Sequence, residues 1–489
     1  MQRKTYTGAM QYVYIRTLLA LGAGILAGLS LVLSSASLSV ILGVSLFFFV
    51  AKHSKSTGES LLLGLLFGLP ASYGGVWWFL DTIPLSWLSV PPGILEHFLV
   101  WTVLSLTALS LALPFTLLAL LVRLMPNRWY APLLVALAYV ATEELRLWSF
   151  ALVFLAPESA LLPDFSVGAL GYALMEVAFF APLAQAGTIG LNAFLGLLGA
   201  ALSEATMGIG NSRTKTGALA AALCLTVSYL FLPSLPSGPT RTVVLLATEA
   251  PPGPFRDPSP VLALFSKAAL AKPDIVAVPE GLGLVPFLPA SARKELYTVA
   301  FGTSTLVISS SVVRDADGNE RAELLYETGA DGVIATQDKM FFVPVGEYLP
   351  PVIRAAISVV PKQNLNGYGS YIAGRAIRGT TFSSAAIDGM RVGALMCSEL
   401  LSPRLYSALA HNEHTDVLIN IANNSWFHGS RLLHARLKQV ARMQALYNRQ
   451  YLLVAANGSP AYAVDPRGRI IAESPWDTPT ALIVPIGSR

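Results

Sequence analysis

The chain has 489 residues, of which 54% are hydrophobic and only 13% charged, against roughly 45–50% and 25% in ordinary soluble domains. Its mean hydropathy of +0.57 excludes a wholly soluble protein, and low charge with high hydrophobicity is the reverse of the disorder signature. The net charge of +4 comes with no Lys/Arg cluster of the kind a nucleic-acid partner needs, and two cysteines, Cys224 and Cys397, cannot form a disulfide framework.

Up to about Pro236 the chain is a series of long apolar runs, at about 14–33, 36–51, 59–80, 98–122, 130–149, 183–207 and 216–234. A spanning helix needs about 20 mostly apolar residues, so these are seven candidate spans, the second short. The stretch 150–182 is apolar but broken by Pro157 and Pro163, and reads as re-entrant or interfacial structure or as an extra span. Arg3, Lys4 and Arg16, then Lys52 and Lys55, then Arg123 and Arg128, then Arg213 and Lys215 mark every second connection. The alternate loops at 34–37, 81–97 and 150–182 hold no Lys or Arg. That alternation predicts a cytoplasmic N-terminus. Seven crossings in a bacterial inner membrane then deliver the rest of the chain to the periplasm.

Residues 1–236 are thus expected to be a helical membrane domain, and 241–489 a soluble α/β domain behind the Leu235–Thr240 linker. Strands are expected at Thr242–Ala247, Ile275–Pro279, Thr305–Ser310, Val392–Met396, Val417–Ile421 and Tyr451–Ala455, short β-branched runs bounded by turn residues. Helices are expected at 258–271, 290–301, 402–413 and 431–449.

Two polar residues close apolar strands and a third opens an apolar run. Cys397 follows Val392–Met396, where a thiol at a sheet edge lies near free backbone N–H groups that favour thiolate; a lone cysteine is otherwise a small hydrophobe, as Cys224 is on its apolar run. Glu280 ends Asp274-Ile-Val-Ala-Val-Pro-Glu, either leaving for solvent or serving as a desolvated general base. Lys339 opens Lys-Met-Phe-Phe-Val-Pro-Val-Gly-Glu-Tyr-Leu-Pro350. It is either a solvated strand end or a cation for a tetrahedral intermediate. Glu347 in the same stretch is a supporting carboxylate or a loop charge.

Read together, these residues resemble the Glu-Lys-Cys order of the nitrilase superfamily. Asn423-Asn-Ser-Trp-Phe427 is similar to its Asn-Asp-x-Trp-Phe motif, and Asp465-Pro-Arg-Gly-Arg-Ile470 to its closing turn. With Thr142-Glu-Glu-Leu-Arg-Leu-Trp148 in the apolar half, the chain resembles the apolipoprotein N-acyltransferases, membrane-embedded members of that superfamily. The resemblance implies an αββα sandwich and a cofactor-free, metal-free acyl transfer. Glu280 would deprotonate Cys397, which takes an acyl chain from a phospholipid as a thioester. Lys339 and the backbone N–H of Ser398 would hold the oxyanion, with Glu347 and Glu399 in support. The α-amine of a diacylglyceryl-cysteine apolipoprotein would then discharge the thioester. Trp426, Phe427, Asn423, Phe341, Phe342 and Trp148 are the candidate lipid- and substrate-binding residues. The chain departs from the pattern at Ser398, where an aromatic is expected, at Asn424 in place of Asp, and at Arg442-Met-Gln-Ala-Leu-Tyr447 in place of Arg-Ala-x-Glu.

Other readings compete. A membrane-anchored amidase would use water, and a related acyltransferase another amine acceptor. A transporter would place charges within spans, where Glu143, Glu144 and Arg146 are candidates, although head-group contact explains them as well. His411-x-x-His414 with His428 and His434 matches no familiar metal spacing.

Overall fold

The computed structural model describes residues 2–86, 90, 92–157, 159, 161–166, 168–206, 211–252, 257–314, 319–357 and 376–487. These form two compact units: Met1–Trp77, Trp101–Val153 and Leu161–Leu232 in one, and Trp78–Val100, Phe154–Ala160 and Pro233–Arg489 in the other. The short stretches 78–100 and 154–160, which the apolar pattern gave to the membrane half, thus group with the α/β unit.

The first unit is helical. Helices stand at all seven apolar runs: α1 (Gln2–Val32), α2 (Ser39–Lys52), α3 (Thr57–Val76), α4 (Ile94–Leu124), α5 (Ala131–Val153), α6 (Gly187–Ala205) and α7 (Ser212–Leu230). Among the described residues four stretches, Tyr12–Val32, Thr57–Thr82, Ile94–Leu124 and Ala181–Ala205, are long and apolar enough to cross a bilayer; α2 is apolar but shorter. Charge interrupts α5 and heads α7, as Glu143, Glu144 and Arg146 on the one and Arg213 and Lys215 on the other. Small residues let α1 and α3 touch through their backbones. A Cβ on Gly28 would lie 2.4 Å from Pro70 O, and one on Gly74 would lie 2.3 Å from Gly28 O. Past α5, the 150–182 stretch holds the 3₁₀ turn Leu170–Glu176.

One buried charge pair sits in this unit. The Arg146 guanidinium donates to Glu143 Oε2 at 2.6 Å, Leu111 O at 2.8 Å and Gly168 O at 3.0 Å. Its Nη2 also reaches Ser72 Oγ at 3.5 Å, and Phe115 lies 4.8 Å beneath it. With Arg146 and Glu143 only 1% and 2% exposed, head-group contact does not account for them. They hold neighbouring segments of this unit to α5.

The second unit is built on strands β1 (Thr240–Thr248), β2 (Ile275–Ala277), β3 (Leu306–Arg314), β4 (Glu320–Thr328), β5 (Gly332–Asp338), β6 (Ser384–Ile387), β7 (Met390–Met396), β8 (Val417–Asn423), β9 (Tyr451–Asn457), β10 (Tyr462–Val464), β11 (Ile470–Glu473) and β12 (Thr480–Gly487). Their order is β5-β4-β3-β2-β1-β9-β8-β7-β6, with β12 on β1 and β10–β11 beside β9. β1 meets β9 only at Ala247–Ala456 and Thr248–Asn457, whereas it pairs antiparallel with β12 from Thr240–Gly487 to Ala247–Thr480. The sheet therefore folds over at β1/β9, and its two halves face each other. Tyr326 of β4 accepts from Ala394 N of β7 at 2.8 Å and donates to Ser383 O at 3.0 Å. Val243, Leu245, Ile308, Tyr326, Ala394, Ile419 and Leu453 share the core between the halves. Strands buried on both faces read as continuous apolar runs, which is why β1, β8 and β9 are plain in the sequence.

Helices α8 (Ser259–Ala269) and α9 (Ala290–Phe301) cover the first half through Leu264, Phe265 and Tyr297. Helix α10 is Pro351–Ile357. Helices α11 (Pro403–Asn412) and α12 (Arg431–Asn448) follow β7 and β8. Ser402 and Ser430 cap them by accepting from Leu405 N and Leu433 N, both at 3.1 Å. The result is the α–β–β–α layering of a nitrilase-like domain.

Candidate active site

In the folded sheet β2, β1, β9, β8 and β7 run parallel. β5 shares their direction, because it is antiparallel to β4 and β4 to β3. Everything that follows these strands emerges at one edge, the place where open α/β sheets put their ligand-binding loops. Glu280 follows β2, Lys339 follows β5, Cys397 follows β7 and Asn423 closes β8. Glu280, Lys339 and Cys397, each more than 50 positions from the next, are thereby brought together.

Lys339 is the hub. Its ammonium donates to Glu280 Oε1 at 2.8 Å and to Glu347 Oε1 at 2.6 Å. The cation is 1% exposed, its carboxylate partners 16% and 28%, so the acids keep water while the base does not. Burial lowers the Lys339 pKa, but the charges of Glu280, Glu347 and Cys397 outweigh it and hold the ammonium well above the usual lysine range. An ammonium has three donors. Two are spent on the carboxylates among the described residues. Glu347 is fixed in turn by Val343 N, which donates to Oε2 at 2.7 Å, so it is part of the cluster and no loop charge.

Cys397 sits at a sharp elbow between β7 and a 3₁₀ turn, with φ +45° in the left-handed region that side chains seldom occupy. Such strain is kept where the surroundings fix it. Asn420 Nδ2 holds the carbonyls of Leu395 and Cys397 at 3.3 and 3.4 Å. The thiol itself lies 3.9 Å from Asn423 O. Burial, then the charge of Glu280, push the Cys397 thiol up, while Lys339 pulls it down. The balance favours the neutral thiol over the thiolate.

The two loops carrying Lys339 and Cys397 are tied together. Glu399 is wholly buried, and its carboxylate accepts from Met396 N and Met340 N, both at 2.6 Å, and from Phe341 N at 3.4 Å. Burial pushes its pKa up to about 7 against the pull of those N–H groups. Ser398 Oγ adds a bond to Phe341 O at 2.9 Å. Glu399 and Ser398 therefore set the distance between cation and thiol.

The aromatic candidates divide. Phe427 meets Trp78 edge-on at 5.4 Å between centroids, and His428 bonds Pro84 O at 3.0 Å, so stretch 78–84 packs over the turn after β8. Trp426 is half-buried beside it. Phe342 is buried with Ala156 and Tyr348, whose hydroxyl donates to Phe154 O at 2.9 Å; Phe341 is half-buried. Trp148 lies in the helical unit on α5, 42% exposed. Three of the four histidines have separate partners: Ser407 O for His411, Pro84 O for His428 and Glu473 for His434. Asn420, Asn457 and Tyr326 carry no motif and escaped the sequence reading. A polar residue amid β-branched neighbours, as in Leu418-Ile-Asn420-Ile, is the one signal that marks such positions.

Residues 297–488 match the carbon-nitrogen hydrolase family model, a stretch that holds Lys339 and Cys397 and begins after Glu280. Apolipoprotein N-acyltransferase of Pseudomonas paraeruginosa is 27% identical over 45% of this chain and 42% of its own; the matched segment spans less than half of that relative. The enzyme of the same name from Allorhizobium ampelinum is 25% identical over 86% of this chain and 78% of its own. A carbon-nitrogen hydrolase superfamily protein from Xanthomonas campestris aligns over 51% of this chain and 91% of its own, at 15% identity and a TM-score of 0.38.

Proposed function

We propose that this chain, a divergent relative of the apolipoprotein N-acyltransferases within the nitrilase superfamily, moves a fatty acyl group from a phospholipid to the α-amine of a lipoprotein's diacylglyceryl-cysteine. One observation carries the chemistry: a buried ammonium with one donor unspent, between two carboxylates and beside a thiol on a strained elbow. The sheet-edge geometry supports a Glu280-Lys339-Cys397 triad. The helical unit supports a site served from a bilayer, and residues 241–489 are read as periplasmic on the loop charges.

In the first half-reaction Glu280 takes the Cys397 proton as sulfur attacks the ester carbonyl. The oxyanion is met by the third Lys339 donor and the Ser398 N–H. Collapse expels the lysophospholipid alkoxide, which recovers the proton from Glu280 and leaves a thioester. In the second, the acceptor amine attacks that thioester and passes a proton to Glu280. The thiolate leaves and is reprotonated. Splitting the transfer in two converts an ester into a more reactive acyl donor. Trp426, Phe427, Phe341 and Phe342 are read as the apolar rim for the acyl chain.

The test is the intact mass of the full chain after incubation with phospholipid vesicles. A hydroxylamine-labile fatty-acyl adduct on Cys397, persisting until a diacylglyceryl-cysteine peptide is added, is the expected result. Rapid turnover of a soluble amide with no adduct would make the chain an amidase.

A further inference from the structure

Asn423 closes β8 one strand away from the Cys397 elbow. Its orientation is forced by a chain of groups whose roles are fixed. Ala250 N donates to Asn457 Oδ1 at 2.8 Å, and Asn457 Nδ2 donates to Ala250 O at 2.9 Å. A backbone N–H only donates and a carbonyl only accepts, so the Asn457 amide has one possible setting. Its Nδ2 then also donates to Asn423 Oδ1 at 2.9 Å. Ser425 N and Ser425 Oγ donate to the same oxygen at 3.2 and 2.7 Å. With three donors on its oxygen, Asn423 turns its NH₂ the other way.

That NH₂ faces the site. Asn423 is 92% buried, being 8% exposed, yet no hydrogen bond from its Nδ2 is found among the described residues. The nitrogen lies 3.7 Å from where a Cβ of Gly281 would stand, next to Glu280. The backbone carbonyl of Asn423 accepts from the Cys397 thiol at 3.9 Å. The amide nitrogen is not among the fully enclosed polar atoms, so it opens toward the site as a donor that an acceptor on a ligand can take.

We propose that the Asn423 side-chain amide binds the carbonyl oxygen adjoining the reacting amine of the acyl acceptor. This rests on the acyl-transfer reading above. Glu280 exchanges protons with the entering amine, so the acceptor approaches on the Glu280–Gly281 side, where the Asn423 nitrogen sits. The oxyanion is served by Lys339 and Ser398, which leaves the Asn423 amide for a different oxygen. An N-terminal cysteine carries its peptide carbonyl two bonds from the amine, in reach of a donor beside that path. A neutral amide matches a neutral carbonyl, whereas a phosphate would call for a cation. The same position explains a preference for α-amino acyl acceptors over plain lipid amines.

The experiment uses the full chain in detergent, loaded with acyl group at Cys397, and follows discharge by two acceptors. One is an S-diacylglyceryl-cysteine peptide; the other is S-diacylglyceryl-cysteamine, which has the amine and lipid but no carbonyl. Wild-type enzyme is expected to favour the peptide by roughly 10- to 100-fold in kcat/KM, and equal rates would overturn the proposal. Asn423→Asp keeps the oxygen that Ser425 and Asn457 address and removes the donor. It is expected to shrink the peptide-to-cysteamine ratio toward unity. Losses that simply multiply would show that Asn423 does not touch that carbonyl. So would an equal fall in Cys397 acylation by a p-nitrophenyl ester, which has no acceptor group. If the wild-type chain forms no thioester at all, the acyl-transfer reading fails and this inference with it; a normal thioester with independent losses removes this inference alone.

Discussion

Two buried cations, one in each unit, look alike in a contact diagram and differ in the company they keep. Arg146 addresses Glu143, the carbonyls of Leu111 and Gly168, and Ser72, and rests on Phe115. All three of its nitrogens are engaged. Among the described residues the Lys339 ammonium addresses two carboxylates and nothing else. Their partners differ too: Glu143 is 2% exposed, Glu280 and Glu347 16% and 28%. A cation among dry partners acts as a fastener, whereas one whose carboxylates reach water sits where a ligand can approach. Charge burial alone does not tell the two apart; the exposure of the partners does.

The sharpest way to break that contrast is at the chemistry. Cys397→Ala is expected to remove the hydroxylamine-labile adduct entirely, because the other cysteine, Cys224, lies on α7 in the helical unit. Near-normal activity in that variant would sink the triad. Next, Glu280→Gln and Lys339→Met are expected to slow thioester formation by roughly 10²–10⁴-fold while the chain still folds. Arg146→Ala should do the opposite. It leaves Glu143 buried without a cation and is expected to cost about 3–5 kcal/mol of stability, read as a fall in thermal midpoint in detergent. The paired replacement Glu143→Leu/Arg146→Met should recover most of that loss, since an apolar pair of similar volume avoids desolvation. Recovery of activity by an equivalent apolar replacement at Lys339 would erase the distinction.

The smallest effect concerns pH. Burial raises the Glu399 pKa to about 7, above an unfolded glutamate near 4.5, so the folded state holds the extra proton between these values. Stability is then fully present below about pH 4.5 and falls as pH rises through 7, by about 3 kcal/mol at most. Melting in detergent should show a higher midpoint at pH 5 than at pH 8, with the gap reduced in Glu399→Gln. An unchanged gap would mean that Glu399 is ionised at little cost. The high Cys397 pKa gives a companion readout. Alkylation by iodoacetamide should keep rising above pH 8.5, the value of an ordinary thiol, and a plateau below it would show a resting thiolate.

How legible this was depends on what each residue had to do. Helix α9 is Ala290–Phe301, the predicted 290–301, and α12 ends one residue short of its predicted bound. Fully buried β1, β8 and β9 stand out as unbroken apolar runs. β4 and β5 were missed because they form an edge hairpin, where Glu320-Arg-Ala-Glu-Leu-Leu-Tyr-Glu-Thr328 mixes solvent and core faces without regular alternation. Glu280 and Cys397 were found because each ends an apolar strand, and Lys339 because it opens the apolar run Met340–Val343. The Glu399 tie and the Asn457–Asn423 chain were not legible as geometry. They connect residues 59 and 34 positions apart, and only the register of the strands between them brings such atoms to hydrogen-bonding distance.

The pairing of β12 with β1 carries a consequence for biosynthesis. β1 opens the α/β unit at Thr240, yet its long antiparallel partner starts only at Thr480. During translation the edge of β1 must wait for about 240 further residues, the kind of distant pairing that slows folding. Throughout that interval Val243, Val244, Leu245 and Leu246, all fully buried at the end, have no β12 to cover them. A β-rich apolar edge held open in this way invites pairing with other chains. Cells making this protein should therefore depend on a holding chaperone on the side where the domain emerges, and ribosome-stalled chains short of residue 480 should be the ones it retains.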